Sequence, residues 1–550
     1  MGISLAACGA PPPPKTVRVA PRALARATTA ETPLPTLSPS HALIHIGHPR
    51  VALGKLTKHA SNVDDDLVAA VITGLRIGRA LDLEQPIDLV AADDAVLFRA
   101  ALTAEAANLM REKGELDGHG VAHLDFPGRV CEARDRELLC ATQAPALRFA
   151  PNARASALGA WTSDLHVVMA IPSETPKTED AAVTHAVTES WRLLLSGTSE
   201  VALDVDVRDD GVRVSGTLGF TEAGIVARAL LGSSAPAPAA ALRRLPADAA
   251  LVFMTTGATR QDLAGLRDSF VASVKERMVS EDAVSPSSAD EISDAFTQLF
   301  FTGGPIVGAA GNDRPTLERA RVLAPSNQTT RLAARRALKG YWIFGVEEDP
   351  ERWIAGVKHL MEVDRRAHTT GRAPGNTKTP ATSTSAKDSA WDTLTERLLP
   401  APPGFPARTV YVEFVTVPKS PTNKELPYVA HVFVVPDGQR TWIVYAPDVD
   451  LARAKARALV DPKTPARPDV EPCIARKASV CVIATLAAAV PFMSTARPEE
   501  IEQSAADVER LFDEDTLTPS TFSVVPNGDR AELTATLPWS VVFGLARYVR

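Results

Sequence analysis

The sequence predicts an α+β protein of antiparallel hairpins with packed helices, arranged as two homologous halves. Three observations predict it. Apolar and polar residues alternate at the period of a strand with one buried face, as in Val212-Arg-Val214-Ser-Gly-Thr-Leu218. Tight-turn pairs such as Asp210-Gly211, Asp437-Gly438 and Asn527-Gly528 separate such runs. Groups of elements also recur in the same order along the chain, the signature of an internal repeat.

Composition sets the outer limits. A chain of 550 residues has room for two to four domains at roughly 150 residues each. With 45% hydrophobic and 23% charged residues, wholesale disorder is excluded, and 5% aromatic residues imply a core of mostly Ala, Val and Leu. The net charge of -7 argues against a nucleic-acid partner, which needs a basic face. The longest apolar stretch, Val480–Met493, is broken by Thr485 and Pro491, too short for a membrane-spanning helix.

The first element expected is a tether, residues 1–40. Leu5-Ala6-Ala7-Cys8 resembles the lipobox of bacterial lipoproteins, in which a signal peptidase cuts before a cysteine that is then lipidated. That resemblance implies lipidation at Cys8 and a membrane partner through an N-terminal lipid. Too few residues precede Cys8 for an export signal, so the expected translation start lies upstream of Met1. After Cys8 come Pro11-Pro12-Pro13-Pro14 and a Pro/Ala/Thr-rich stretch, too poor in large apolar groups to fold.

The two expected halves follow, 41–233 and 244–550, joined by a linker at 234–243. Leu37–His45 and Leu245–Phe253 both read as a Pro turn leading into an apolar strand, with helices from Val51 and over Arg260–Glu276. Hairpins at Ile87–Ala92/Val96–Ala100 and His431–Val435/Thr441–Tyr445 precede helices Thr103–Lys113 and Asp448–Val460. Near the end of each half, a hairpin (Val201–Gly219, Thr521–Leu537) lies between helices: Asp180–Leu195 and Thr221–Leu231 in the first, Pro498–Phe512 and Ser540–Val549 in the second. The second half also has a strand–helix unit, Tyr341–Val346 into Pro350–Glu362. After it comes a Thr/Pro/Gly/Ser-rich insertion near 366–389, expected to be disordered. This layout is similar to a group of large exported lipoproteins of GC-rich bacterial genomes with LPADA strand starts, here Leu245–Ala249. The group has no known activity and implies no catalytic residues.

Apart from Cys8, the cysteines form two close pairs, Cys131/Cys140 and Cys473/Cys481. Each pair reads as strand, polar turn and returning strand. Opposed strand residues lie roughly 4.5–5.5 Å apart at Cα, within disulfide reach. Two hairpin-stapling disulfides are therefore expected, in equivalent places of the two halves, in an oxidising compartment. The spacings do not suit zinc knuckles; free buried thiols are the alternative.

Candidate chemistry is sparse. His45-Ile46-Gly47-His48 spells the HIGH signature of class I aminoacyl-tRNA synthetases, but no KMSKS partner follows and Phe253–Gly257 lacks the histidines. A strand-end turn with exposed histidines is expected instead. Asp117–Asp125 gathers His119, His123 and Asp125, a weak metal candidate because Gly118 and Gly120 disfavour a shared helix face. Gly303–Gly311 lacks the Lys of a phosphate loop, and Asp64-Asp65-Asp66 reads as helix capping. Neither G-x-S-x-G nor HExxH occurs. No catalytic residue, cofactor or metal is expected.

The expected function is a non-catalytic cell-envelope lipoprotein, periplasmic or surface-exposed, acting as a binding or scaffold module. Its ligand would be an envelope protein, a polymer or an apolar molecule, seated where the halves meet. Two alternatives stand beside it: an exported hydrolase-like enzyme with a site between the halves, and a carrier for an apolar ligand. A cytoplasmic protein with reduced thiols is a third.

Overall fold

The structure is a computed structural model. It describes residues 42–59, 80–92, 95–117, 121–126, 129–142, 163–170, 197–220, 224–231, 238–257, 259–280, 285–300, 303–312, 339–370, 391–418, 428–438, 440–489 and 518–542. The expected tether with Cys8, the Asp64–Asp66 run and helices Asp180–Leu195 and Pro498–Phe512 lie outside these residues.

Twenty strands are described. They are β1 (Ala42–Ile46), β2 (Ile87–Ala92), β3 (Ala95–Ala101), β4 (Glu115–Leu116), β5 (Ala122–Phe126), β6 (Arg129–Arg134), β7 (Glu137–Ala141), β8 (Leu165–Ala170), β9 (Thr198–Val207) and β10 (Gly211–Phe220). Then come β11 (Leu251–Thr255), β12 (Ile306–Gly311), β13 (Tyr341–Val346), β14 (Trp391–Pro400), β15 (Val410–Pro418), β16 (Tyr428–Asp437), β17 (Arg440–Ala446), β18 (Val480–Ala484), β19 (Ser520–Asn527) and β20 (Arg530–Pro538). The helices are α1 (Pro49–His59), α2 (Ala104–Lys113), α3 (Ile225–Leu231), α4 (Ala239–Arg243), α5 (Ala264–Ser280), α6 (Pro286–Phe300), α7 (Pro350–Thr370), α8 (Val449–Val460) and α9 (Glu471–Ala475). The fold is α+β, mostly strand.

Every strand pairing is antiparallel, and the pairings link all strands into one sheet. Its order is β4-β5-β6-β7-β3-β2-β1-β8-β9-β10, then β20-β19-β18-β11-β12-β13-β17-β16-β15-β14. Each of the first ten strands has the neighbours of the strand ten places later in the chain. Even registers agree: β1 pairs β2 and β8 over five residues each, and β11 pairs β12 and β18 over five. The two ten-strand sets meet at β10–β20, where Gly211–Gly219 lie opposite Pro538–Arg530. Trp539 clamps that seam by donating its indole N–H to the carbonyls of Arg208 and Asp209, both at 3.1 Å.

Local chemistry explains the elements. Thr103 caps α2 by accepting from the Ala106 N–H, and Asp448 caps α8 by accepting from Asp450 and Leu451. Asp135 takes a left-handed φ of 52° in the β6–β7 turn, a conformation that Asp tolerates. The layers follow from strand alternation. On one face of the sheet, Phe98, Ala100, Leu138 and the Cys131–Cys140 pair pack with Ala106 and Ala107 of α2. On the same side of the second set, Val346, Val412, Val434 and Ile443 pack with Trp353 and Ile354 of α7. On the opposite face, Met254, Val307, Trp442 and Phe433 are covered by Leu242, Leu451, Leu459 and Cys473 of α4, α8 and α9.

Several expectations need correction. By sheet neighbours, β16–β17 is the counterpart of the cysteine hairpin β6–β7, not of β2–β3; the counterpart of β2–β3 is β12–β13. Cys131 and Cys140 lie directly opposite on β6 and β7, Cα atoms 4.0 Å apart, and form the expected hairpin disulfide. Cys473 and Cys481 also form a disulfide, but Cys473 sits on α9 rather than on a strand, with Cα atoms 6.0 Å apart. Pro472 explains the helix, since proline suits a first helical turn. The two disulfides therefore occupy non-equivalent places. The expected linker 234–243 carries α4, whose Leu242 is fully buried in the core. The Leu245–Ala249 start is held by buried Arg467, which donates to the carbonyls of Pro246 (2.7 Å) and Ala249 (3.2 Å). Helix α7 runs on to Thr370, so the expected insertion 366–389 begins inside a helix; 371–390 lie outside the described residues.

Candidate functional site

Directly opposed residues of antiparallel strands point to the same side of a sheet. One such row crosses the seam on the face opposite α2 and α7. It runs His45 (β1), His166 (β8), Asp204 (β9), Ser215 (β10), Thr534 (β20), Ser523 (β19) and Cys481 (β18). From His45 to Ser523 it spans about 24 Å at roughly 4.8 Å per strand. In the second set the row continues as Met254, Val307, Gly345 and Trp442.

At the first-set end of this row two imidazoles are buried. His45 Nδ1 lies 2.6 Å from Asp88 Oδ1, and His166 Nδ1 lies 2.6 Å from Asp204 Oδ1. His45 and Asp88 are 8% and 7% exposed, so the first two letters of the expected exposed HIGH turn point inward; His48 is exposed. Ser163 donates to the same Asp204 oxygen at 2.8 Å, and Lys55 of α1 reaches Asp164 at 3.0 Å. The serine and the imidazole thus share one acceptor.

At the middle of the row a groove of about 260 Å³ opens over the seam. Its floor carries Thr521 and Ser523 of β19 beside Thr536 and Thr534 of β20. One wall is the β9–β10 turn with Arg208 and Asp210, followed by Arg213 on β10 opposite Thr536. The other wall is α9 with Pro472, Cys473 and Arg476, and Arg476 reaches across to donate to Thr534 Oγ1 at 3.1 Å. The disulfide to Cys481 pins this wall to the sheet. Asp469 also lines the groove, but both its oxygens are held by Arg467, at 2.6 and 2.7 Å.

The residues singled out from sequence lie elsewhere. His123 stands between Asp117 (3.5 Å) and Glu132 (3.6 Å) on the first-set end of the sheet. Asp125 is opposite Val130 on β5, and His119 and Cys8 lie outside the described residues. Among the described residues, no group of three or more His, Cys, Asp or Glu could hold a metal ion. Gly303 and Gly304 form a left-handed turn, and Gly308 faces the Phe253 ring, close packing in place of a phosphate loop. Sequence reasoning missed Asp88, His166, Asp204, Arg208, Arg213 and Arg476. The alternating acids of Val201-Ala-Leu-Asp204-Val-Asp206 were the visible signal for Asp204, since they place carboxylates on one strand face.

No described helix is long and apolar enough to cross a membrane, which says nothing of a β-barrel. The two disulfides fit a protein that matures in an oxidising, exported setting. No family model and no curated protein matches the chain. Among solved structures, crystal forms I, III and IV of TP0453 are similar to 33–35% of this chain and 77–84% of theirs, at 9% identity. Their TM-scores of 0.21–0.23 are too low to carry any argument.

Proposed function

We propose that this chain is a non-catalytic binding or scaffold module of the cell envelope. In this reading it is exported, held at a membrane face by a lipid on Cys8, and built of two halves descended from one ancestor. The domain limits 41–233 and 244–550 and the kinship with LPADA-type lipoproteins belong to the same reading. The observation that carries it is the seam: two sets of strands with matching neighbours share one sheet, and a groove opens where they meet. Pockets favour such junctions, and a site there draws residues from both sets. The disulfides support export.

The geometry weighs against the hydrolase alternative. Ser163 and His166 are 7% and 6% exposed, and both bond to Asp204, whereas a nucleophilic serine needs the imidazole itself as its base.

Two measurements test the reading. Labelled palmitate should enter the chain made in a bacterial host from a gene that includes its upstream codons, and Cys8→Ser should abolish both label and membrane fractionation. The purified chain should sediment with isolated envelope polymer or bind a soluble ligand without turning over ester, amide or glycoside substrates. Steady turnover that survives repurification would overturn the non-catalytic reading.

A further inference from the structure

We infer that the seam groove is an oxyanion site, taking the phosphate or carboxylate group of an anionic ligand. The inference rests on the binding-module reading and names the ligand chemistry of that site. Arg208 and Arg213 stand on the first-set side and Arg476 on the second-set side of one concavity. Guanidinium groups converging on one space suit planar, bidentate recognition of carboxylate and phosphate. The threonine hydroxyls of the floor, Thr521, Thr534 and Thr536, add neutral donors beside the charges.

The charge balance favours an anion. Asp469 is paired with buried Arg467, so the two charges balance each other. Among the described residues, that leaves Arg208, Arg213 and Arg476 against Asp210 and Asp206, the latter opposite Arg213 on β9 and 3.9 Å from Arg208. A cationic surplus is concentrated here on a chain whose net charge is -7. Such a surplus raises the local anion concentration. Among the described residues no aromatic ring lines the groove, so they offer no flat apolar platform for a neutral ring. Each ten-strand set supplies cations, so binding bridges the seam and should stiffen it.

The test is calorimetric titration at low ionic strength, where exposed charges act most strongly. Inorganic pyrophosphate and citrate serve as phosphate and carboxylate probes, with a neutral trisaccharide and an apolar dye as controls. Binding of pyrophosphate, citrate or both supports the inference, and their ranking tells which oxyanion the groove prefers. Arg476→Ala and Arg213→Ala should each weaken the bound probe at least about tenfold, and Arg476→Lys less, because it keeps the charge but not the fork. Arg397→Ala, at an exposed position of β14, should change nothing. Absence of anion binding by the wild-type chain overturns the inference, as does binding that persists in an Arg208→Ala/Arg213→Ala/Arg476→Ala variant with unchanged circular dichroism. Binding of only the neutral or apolar control overturns the anion inference and leaves the binding-module reading standing. Anion binding accompanied by steady release of phosphate from pyrophosphate supports the site and overturns the non-catalytic reading instead.

Discussion

His45 and His166 lie directly opposite one another on β1 and β8, and each is held through Nδ1 by a carboxylate from the strand on its far side, Asp88 on β2 and Asp204 on β9. By sheet neighbours, the same places in the second set hold Met254 and Cys481, flanked by Val307 and Ser523. One scaffold thus accepts buried imidazoles hydrogen-bonded to carboxylates in one set and mainly apolar groups in the other. The apolar version is covered by α4, α8 and α9.

That contrast yields a stability prediction for His45 and Asp88. Removing one member of a buried pair strands the other without its partner, whereas replacing both with well-packed apolar groups is often neutral. Asp88→Val alone should cost about 1–3 kcal/mol, the penalty of removing one partner of a buried hydrogen bond. The double variant His45→Met/Asp88→Val, which imports the residues of the second set, should cost at least about 1 kcal/mol less than the sum of the single changes. Urea unfolding of the four proteins gives the coupling directly; additive losses would show that the two side chains are independent.

The two disulfides should separate stability from function. Each closes a loop of similar length, with sequence separations of 9 and 8, so each loss should cost a similar amount, about 2–3 kcal/mol on loop entropy. Cys131 and Cys140 join β6 to β7 far from the groove, and Cys473 anchors a groove wall. Cys473→Ser/Cys481→Ser should therefore weaken anion binding severalfold, and Cys131→Ser/Cys140→Ser should leave it unchanged. Melting temperatures and titrations of both variants decide this. Equal effects on binding would mean that α9 keeps its place without the bond.

Much of the architecture was legible because it is local. Alternation and turn residues mark β9–β10 and β19–β20, and Tyr341–Val346 is a strand as expected. What sequence could not reveal is which strands become neighbours. β1 pairs with β8, more than a hundred residues away in the chain, and β10 pairs with β20 from the other set. The match of the Cys473 segment to a hairpin failed for a local reason: Glu471-Pro472 starts a helical turn, and the positive φ of Lys477 (54°) belongs to the turn leaving that helix. The groove was invisible because Arg208, Arg476 and Thr534 come from three remote segments with no motif among them.

Close packing in the second set gives a sharper mutational prediction. Gly345 on β13 lies opposite Trp442, and a Cβ there would sit 2.6 Å from Trp442 Cζ3 and 2.8 Å from Val307 Cγ2. Trp442 is fully buried and donates its indole N–H to Asp437 at 3.2 Å, so the ring has little room to withdraw. Gly345→Ala should destabilise by about 1–3 kcal/mol through overpacking. Near-ultraviolet circular dichroism should change, because the indole must shift. A variant as stable as wild type with an unaltered spectrum would show that the sheet yields at this point at no cost.

The last prediction concerns acid. His431 on β16 is buried beside Tyr411, whose hydroxyl lies 2.8 Å from Nδ1. Burial pushes the imidazole below its ordinary value, although Glu413, Asp448 and Asp450 pull the other way, and burial raises the Tyr411 phenol. The sign follows from proton counting. Above the ordinary histidine range His431 is neutral in both folded and unfolded chains and contributes no slope. As pH falls through that range the unfolded chain takes up a proton that the folded chain refuses, so stability drops until the depressed folded value is reached. His431→Gln removes this titration; its stability should fall less steeply than that of the wild type between about pH 7 and the depressed value. Denaturant midpoints at half-unit intervals measure the difference, and parallel curves for the two proteins would mean that His431 protonates as readily inside the sheet as outside it.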